Sequence, residues 1–137
     1  MDYLTHFGFA KKPFSADLRT DEILKTQQLN AWCSRFEFVA THKLWGVLTG
    51  EVGAGKSTAI RYGVETLPHP EYRPILVTAG SGSILETYRR ILMALGIPLS
   101  GNRSIMHRAI MATLRDVAAQ KITPLLIIDE ASLMSLE

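Results

Sequence analysis

Apolar positions recur along the chain with two different periods. Leu29, Trp32, Cys33, Phe36, Val39 and Ala40 fall three and four apart, which gathers them on one helical face, and Thr26 stands where an N-cap belongs. Leu44–Thr49 (LWGVLT) is then a short apolar run closed by Gly50, with the length and flanks of a buried strand. Helical spacing returns from Lys56, with Ile60, Val64 and Leu67 on one face and Pro68 as the stop. Ile75–Thr78, after Pro74, predicts a second buried strand. Ser83-Ile84-Leu85-Glu86 matches the S-x-x-E capping box. It opens a helix that turns Leu85, Tyr88, Ile91, Leu92 and Leu95 inward and stops at Gly96 and Pro98. Beyond the loop Leu99–Arg103, Ser104 is expected to cap a helix that buries Met106, Ala109, Ile110, Leu114 and Val117. Pro124 leads into a third strand, Leu125–Ile128, which runs out into Asp129 and Glu130.

Strands that are apolar throughout and alternate with helices predict an α/β fold: a parallel sheet covered on both faces, three layers in αβα order. The irregular segment 1–26 precedes this core, is broken at Pro13 and carries Tyr3, Phe7, Phe9 and Phe14. These aromatics would either wall an adenine pocket or plug the core beneath the first helix, and Trp32 and Trp45 are expected to pack inside. With 137 residues there is room for one domain. Hydrophobic residues at 47% and charged residues at 20% exclude disordered and fibrous classes. The longest apolar runs fall far short of the ~20 residues of a membrane helix. The first residues lack the basic and apolar regions of a secretory signal, and the single Cys33 leaves no internal disulfide, so a cytoplasmic setting is expected.

One segment carries chemistry unmistakably. Gly50-Glu51-Val52-Gly53-Ala54-Gly55-Lys56-Ser57 satisfies G-x-x-x-x-G-K-[ST] at every fixed position and lies between a predicted strand and a predicted helix. Glycines let successive amides turn inward onto phosphate oxygens, and the following helix adds its positive end. Residues 50–58, through Thr58, are thus the expected nucleotide-binding set. Lys56 would carry positive charge to the β- and γ-phosphates, and the Ser57 hydroxyl would ligate Mg²⁺.

The run Leu125–Ile128 would place Asp129 and Glu130 at the C-terminal edge of the sheet, where open α/β sheets bind ligands. Asp129 would hold the Mg²⁺ shell through water, and Glu130 would orient and polarise the attacking water. An Asp followed directly by Glu points to hydrolytic ATPases, and no N-K-x-D element argues for GTP. The net charge of +2 says little, but segment 89–121 sets six cationic side chains against Asp116 alone. That stretch is either a solvated pair of helix faces or a patch facing nucleic acid. His6, His42, His69 and His107 have no metal-ligand spacing with one another or with Cys33. Two other readings use the same loop: a small-molecule kinase, for which no lid is evident, and a non-catalytic, ATP-dependent DNA-binding assembly factor resting on the basic stretch.

Taken together, the chain resembles AAA+ ATPases of the ExeA type, a general secretion pathway group related to TniB-like transposon ATPases. Phe7-Gly8-Phe9-Ala10-Lys11-Lys12-Pro13-Phe14 is similar to that group's F-G-x-x-x-x-P-F opening, and Leu48–Ser57 to its L-T-G-E-x-G-x-G-K-[ST]. Leu126-Ile127-Ile128-Asp129-Glu130-Ala131 is similar to its L-I-I-D-E-A, although Ser132 stands where many relatives carry Gln. The resemblance implies ATP hydrolysis coupled to assembly, self-association into a ring or filament, and DNA with a transposase, or secretion components, as partners. It also implies five parallel strands in spatial order 5-1-4-3-2, of which three are evident. Residues 1–137 are accordingly expected to be the N-terminal portion of one ATPase domain: a segment 1–26, then a P-loop core 27–137 that breaks off after the Walker B strand. The sensor, the arginine finger and the lid would lie beyond it, and the piece alone would be inactive. Its first strand would have an open edge, prone to association or repaired by direct pairing with the third.

Overall fold

The computed structural model describes residues 2–13, 18–68, 70–80 and 83–134. Phe14 and His69 lie outside these residues. In chain order the described residues form α1 (Tyr3–Phe7), a 3₁₀ turn (Thr20–Glu22), α2 (Gln27–Thr41) and α3 (Lys56–Thr66). There follow β1 (Tyr72–Thr78), α4 (Ile84–Leu95), α5 (Arg103–Ala119), β2 (Thr123–Asp129) and a closing 3₁₀ turn (Ala131–Leu133).

Local chemistry sets the helix ends. Thr26 caps α2 as expected, its Oγ1 accepting the Leu29 amide at 3.1 Å. The other end of α2 closes with Lys43 in the left-handed region (φ 54°) and the Leu44 amide bonded back to the Val39 carbonyl at 2.9 Å. Two expected caps differ. Ser83 sits at the N-cap of α4, but its hydroxyl makes no cap bond: the Glu86 amide donates to the Ser83 carbonyl at 2.9 Å, and the Glu86 carboxylate, the other half of the box, turns toward Arg89 (3.6 Å) and Arg90 (3.4 Å). At α5 the cap is Asn102 and not Ser104: its side-chain oxygen accepts the Ile105 amide at 3.1 Å, so the helix begins at Arg103.

β1 and β2 lie side by side and parallel, in register from Tyr72 opposite Thr123 to Thr78 opposite Asp129. Both strands run past the predicted bounds at their N-terminal ends, taking in Pro74 and Pro124. Ile75 and Val77 point to one face and are buried with Ile91, Leu92 and Leu95 of α4 and Met106 and Ile110 of α5. This cluster is the core, each aliphatic side chain contributing ~1.5–3 kcal/mol of burial. The opposite face carries Tyr72, Leu76 and Asp129. Tyr72 places its hydroxyl 3.3 Å from Thr41 Oγ1 of α2, and Asp129 reaches Ser57 of α3. The sheet thus has helices on both sides, the αβα order that the sequence predicts. Helices α2 and α3 meet where the stacked rings of Trp32 and Phe36 (centroids 4.9 Å apart, 20° between planes) lie on Gly63.

The predicted first strand is the main correction. Residues 44–49 do not form a strand: they join neither β1 nor β2, and Trp45 is fully exposed, with Val47 at 89%. Trp45 is therefore no packing residue, whereas Trp32 is. A strand exists only through its ladder. In the expected spatial order 5-1-4-3-2 the neighbours of this segment are strands four and five, while the second and third strands, here β1 and β2, bond each other. Direct pairing of 44–49 with β2 does not occur either. Gly46 instead leans on α2, where an added Cβ would lie 3.3 Å from a Val39 methyl. The aromatics of α1 and its flank likewise plug nothing: Phe7 and Phe9 pack on each other with ring centroids 6.0 Å apart and remain exposed.

Candidate nucleotide site

The loop 50–55 is shaped by backbone conformation. Gly53 and Gly55 both take left-handed φ values, 81° and 82°, a region that costs an L-residue with a Cβ roughly 1–2 kcal/mol. Between them the Ala54 amide turns back to the Glu51 carbonyl at 3.2 Å. Gly55 is the N-cap of α3 and supplies no side-chain cap, so the first-turn amides of that helix have no intrahelical acceptor and point out of its end. Glu51 and Val52 form the exposed crest of the loop.

Lys56 opens α3 and folds its side chain back across this loop. Its Nζ donates to the Gly50 carbonyl at 3.0 Å and the Glu51 carbonyl at 2.9 Å. The Lys56 ammonium, left-handed glycines and an uncapped helix end lie together in this one loop, a set that suits an anion of several oxygens. Thr58 is exposed in the same first turn.

The second motif meets the first directly. Ser57 Oγ donates to Asp129 Oδ2 at 2.8 Å across 72 positions of sequence. The other carboxylate oxygen of Asp129 accepts the Glu130 amide at 2.9 Å. Glu130 is left-handed (φ 56°) and caps the closing 3₁₀ turn, so the chain leaves the sheet there and Glu130 stands exposed at the strand's C-terminal edge. A non-glycine residue held in this region is strained by about 1 kcal/mol, and such strain concentrates at working sites. A hydroxyl and a carboxylate in contact beside a phosphate-type loop are hard oxygen donors, the set that suits Mg²⁺ together with a nucleotide.

Three features escape sequence reasoning. Arg90 donates from Nη1 to the Thr78 carbonyl at 2.9 Å, at the end of β1. With Arg89 and Arg90 both facing Glu86, the basic stretch 89–121 keeps Arg103, Arg108, Arg115 and Lys121 as exposed cations. A polar cavity of about 440 Å³, lined by Leu18–Asp21 with Arg61 and Glu65, runs along α3 one to two turns from Ser57. Leu18–Asp21, and not the upstream aromatics, line it: Arg61 donates to the Leu18 carbonyl at 2.8 Å and Thr20 to the Glu65 carboxylate. The third is Gly63, for which the sequence did offer a signal, a lone glycine inside a helical pattern.

Among the described residues no helix is long and apolar enough to cross a membrane. Neither the curated proteins nor the solved structures contain a match to this chain. The family model described as AAA domain matches residues 39–137, a span that holds the phosphate-type loop, both strands and the Asp129-Glu130 pair. The chain therefore belongs to the AAA domain family, and its core is an AAA-type P-loop ATPase domain.

Proposed function

We propose that this chain binds ATP with Mg²⁺ and serves as the hydrolytic AAA+ module of a switch or motor acting on a macromolecular assembly, of the ExeA and TniB-like type. The observation that carries the nucleotide reading is the Ser57–Asp129 hydrogen bond, which joins two motifs distant in sequence into one site. Gly50–Thr58 bind the triphosphate, their amides and the α3 terminus meeting its charge. Lys56 exchanges its carbonyl partners for phosphate oxygens. Ser57 and Asp129 hold Mg²⁺, which when bound neutralises charge on the β- and γ-phosphates. Glu130 holds the water that attacks in line and takes up its proton as ADP and phosphate separate.

Hydrolysis at full rate draws on an arginine from a neighbouring subunit, so self-association into a ring or filament belongs to this reading. Residues 1–26 and 27–137 then act as lead segment and core of one ATPase domain. The four exposed cations on and just after α5 favour the branch directed to DNA and a transposase over the secretion branch. A kinase is separated by incubation with ATP alone, since only an ATPase releases phosphate without an acceptor.

Titration of the chain with a fluorescent ATP analogue in the presence of Mg²⁺ tests the site. Binding is expected for the wild type and for Glu130→Gln, and its loss for Lys56→Ala. In the self-associated, hydrolysing protein Glu130→Gln should also stop phosphate release. Undiminished binding by Lys56→Ala would remove the loop from the mechanism.

A further inference from the structure

One peptide at the end of β1 is gripped from both sides. Thr78 and Asp129 are the last pair of the register, and the Ala79 amide continues the ladder by donating to the Asp129 carbonyl at 2.8 Å. A trans peptide points its carbonyl opposite to its amide, so the Thr78 oxygen faces away from β2. Among the described residues no strand pairs with β1 on that side. The Arg90 guanidinium takes the place of one, donating from Nη1 to the Thr78 oxygen at 2.9 Å. A charged donor on the carbonyl polarises the amide and strengthens the bond that its N–H makes to Asp129.

We propose that Arg90 is a positioning residue that fixes the Asp129 carboxylate by holding the Thr78–Ala79 peptide from the outer edge of β1. The inference rests on the reading of Asp129 as a metal-site residue. Asp129 is engaged at three oxygens: its carbonyl by Ala79, Oδ1 by the Glu130 amide, and Oδ2 by Ser57. Two hydrogen bonds restrain the carboxylate relative to the main chain that carries it, and that main chain is anchored through the peptide that Arg90 holds. Two arrangements keep the guanidinium in place. Glu86, one turn earlier in α4, pairs with its Nε at 3.4 Å and forgoes its part in a capping box to do so. Gly80 lets the guanidinium lie flat on the backbone, since an added Cβ would fall 2.8 Å from Nη2 and 3.0 Å from Cζ. Lysine could reach the carbonyl but could not serve Glu86 with a second arm.

The test measures amide exchange at Ala79 and the Mg²⁺ concentration that half-saturates binding of a fluorescent ATP analogue. Arg90→Ala should speed Ala79 exchange and raise the Mg²⁺ requirement by about tenfold, the usual scale for residues that support a metal ligand, while binding without Mg²⁺ stays unchanged. Arg90→Lys should recover most of both. Gly80→Ala, which crowds the guanidinium, should shift both in the same direction by less and should add nothing on the Arg90→Ala background. Wild-type exchange and Mg²⁺ response in Arg90→Ala, or an equal loss of Mg²⁺-free binding, overturns the positioning role and leaves the nucleotide site standing. No Mg²⁺ response in the wild type overturns the metal assignment of Asp129, and this inference with it.

Discussion

Two regions of this molecule are built to different standards. The half formed by β1, β2, α4 and α5 has a continuous apolar cluster in which Leu92 is 1% exposed. The half formed by residues 44–55, α2 and α3 carries the phosphate-type loop yet leaves Leu44, Trp45, Val47 and Val52 in solvent. Its buried positions are Ala40, Gly63 and Leu67, at the α2–α3 contact. The halves meet through polar contacts, Ser57 with Asp129 and Thr41 with Tyr72. Stability in such a molecule is not uniform. The carboxylate side of the site stands on a packed core, and the phosphate side stands on one helix pair and two hydrogen bonds.

Substitutions at the two most dissimilar apolar positions break this comparison most sharply. Leu92→Ala should lower unfolding free energy by about 3 kcal/mol through the cavity it leaves. Trp45→Ala should change it by no more than ~0.5 kcal/mol, as at any exposed site. Denaturant melts measure both, and hydrogen exchange adds the local view: the amides that bond across the strand pair, Ile75, Val77, Leu125 and Ile127, protected and 44–49 open. Equal costs for Leu92 and Trp45, or strong protection across 44–49, would mean that the two halves share one core.

Within the weaker half, the α2–α3 contact is the part that packing holds. A Cβ at Gly63 would come 2.5 Å from Trp32 Cζ3 and 2.9 Å from Phe36 Cδ1, both in rigid rings. Gly63→Ala should therefore destabilise by ~1–3 kcal/mol, less the roughly 1 kcal/mol that alanine gains in a helix. Trp32→Phe on that background should recover part of the loss, because the smaller ring withdraws from the contact. A Gly63→Ala variant that melts above the wild type would show that α2 does not press on α3 here.

What the sequence disclosed follows the same division. Helical stripes were readable because burial on one side repeats every three to four residues, and α2, α4 and α5 bury the faces that Phe36, Leu92 and Ile110 announce. The two motifs were readable because phosphate binding demands glycine, lysine and hydroxyl at fixed spacing. LWGVLT was misread, since an apolar run states a tendency to pair but not whether a partner lies beside it. Ser83 and Ser104 were misread as working caps because a hydroxyl in the right place competes with neighbours such as Asn102 and with the alternatives open to Glu86. Arg90 was hidden for a different reason: its partner is a main-chain carbonyl, which no side-chain pattern encodes.

The smallest expected effect concerns a tie within the lead segment, next to the turn that docks on α3 through Thr20 and Glu65. Lys11 bonds the Glu22 carboxylate, and the Arg19 amide donates to its other oxygen at 3.0 Å. The Lys11 contact first, then the Arg19 amide, holds the Glu22 carboxyl below its ordinary value. A depressed carboxylate contributes stability that is present above the unfolded-state value and is lost as pH falls through the folded one. The tie should therefore be intact at neutral pH and loosen only below the ordinary glutamate range. Because Glu22 lies in solvent, salt should weaken the tie as well. Amide exchange at Glu22 and Ile23, which close the 3₁₀ turn onto Arg19 and Thr20, reports it. Exchange corrected for intrinsic rate should quicken as the pH is lowered through that window, and Glu22→Gln should abolish the acceleration while leaving the β1–β2 ladder unchanged. An acceleration that survives Glu22→Gln would move the tie to the neighbouring Arg19–Asp21 pair, at 3.1 Å, and leave the lead segment docked through Thr20 and Glu65.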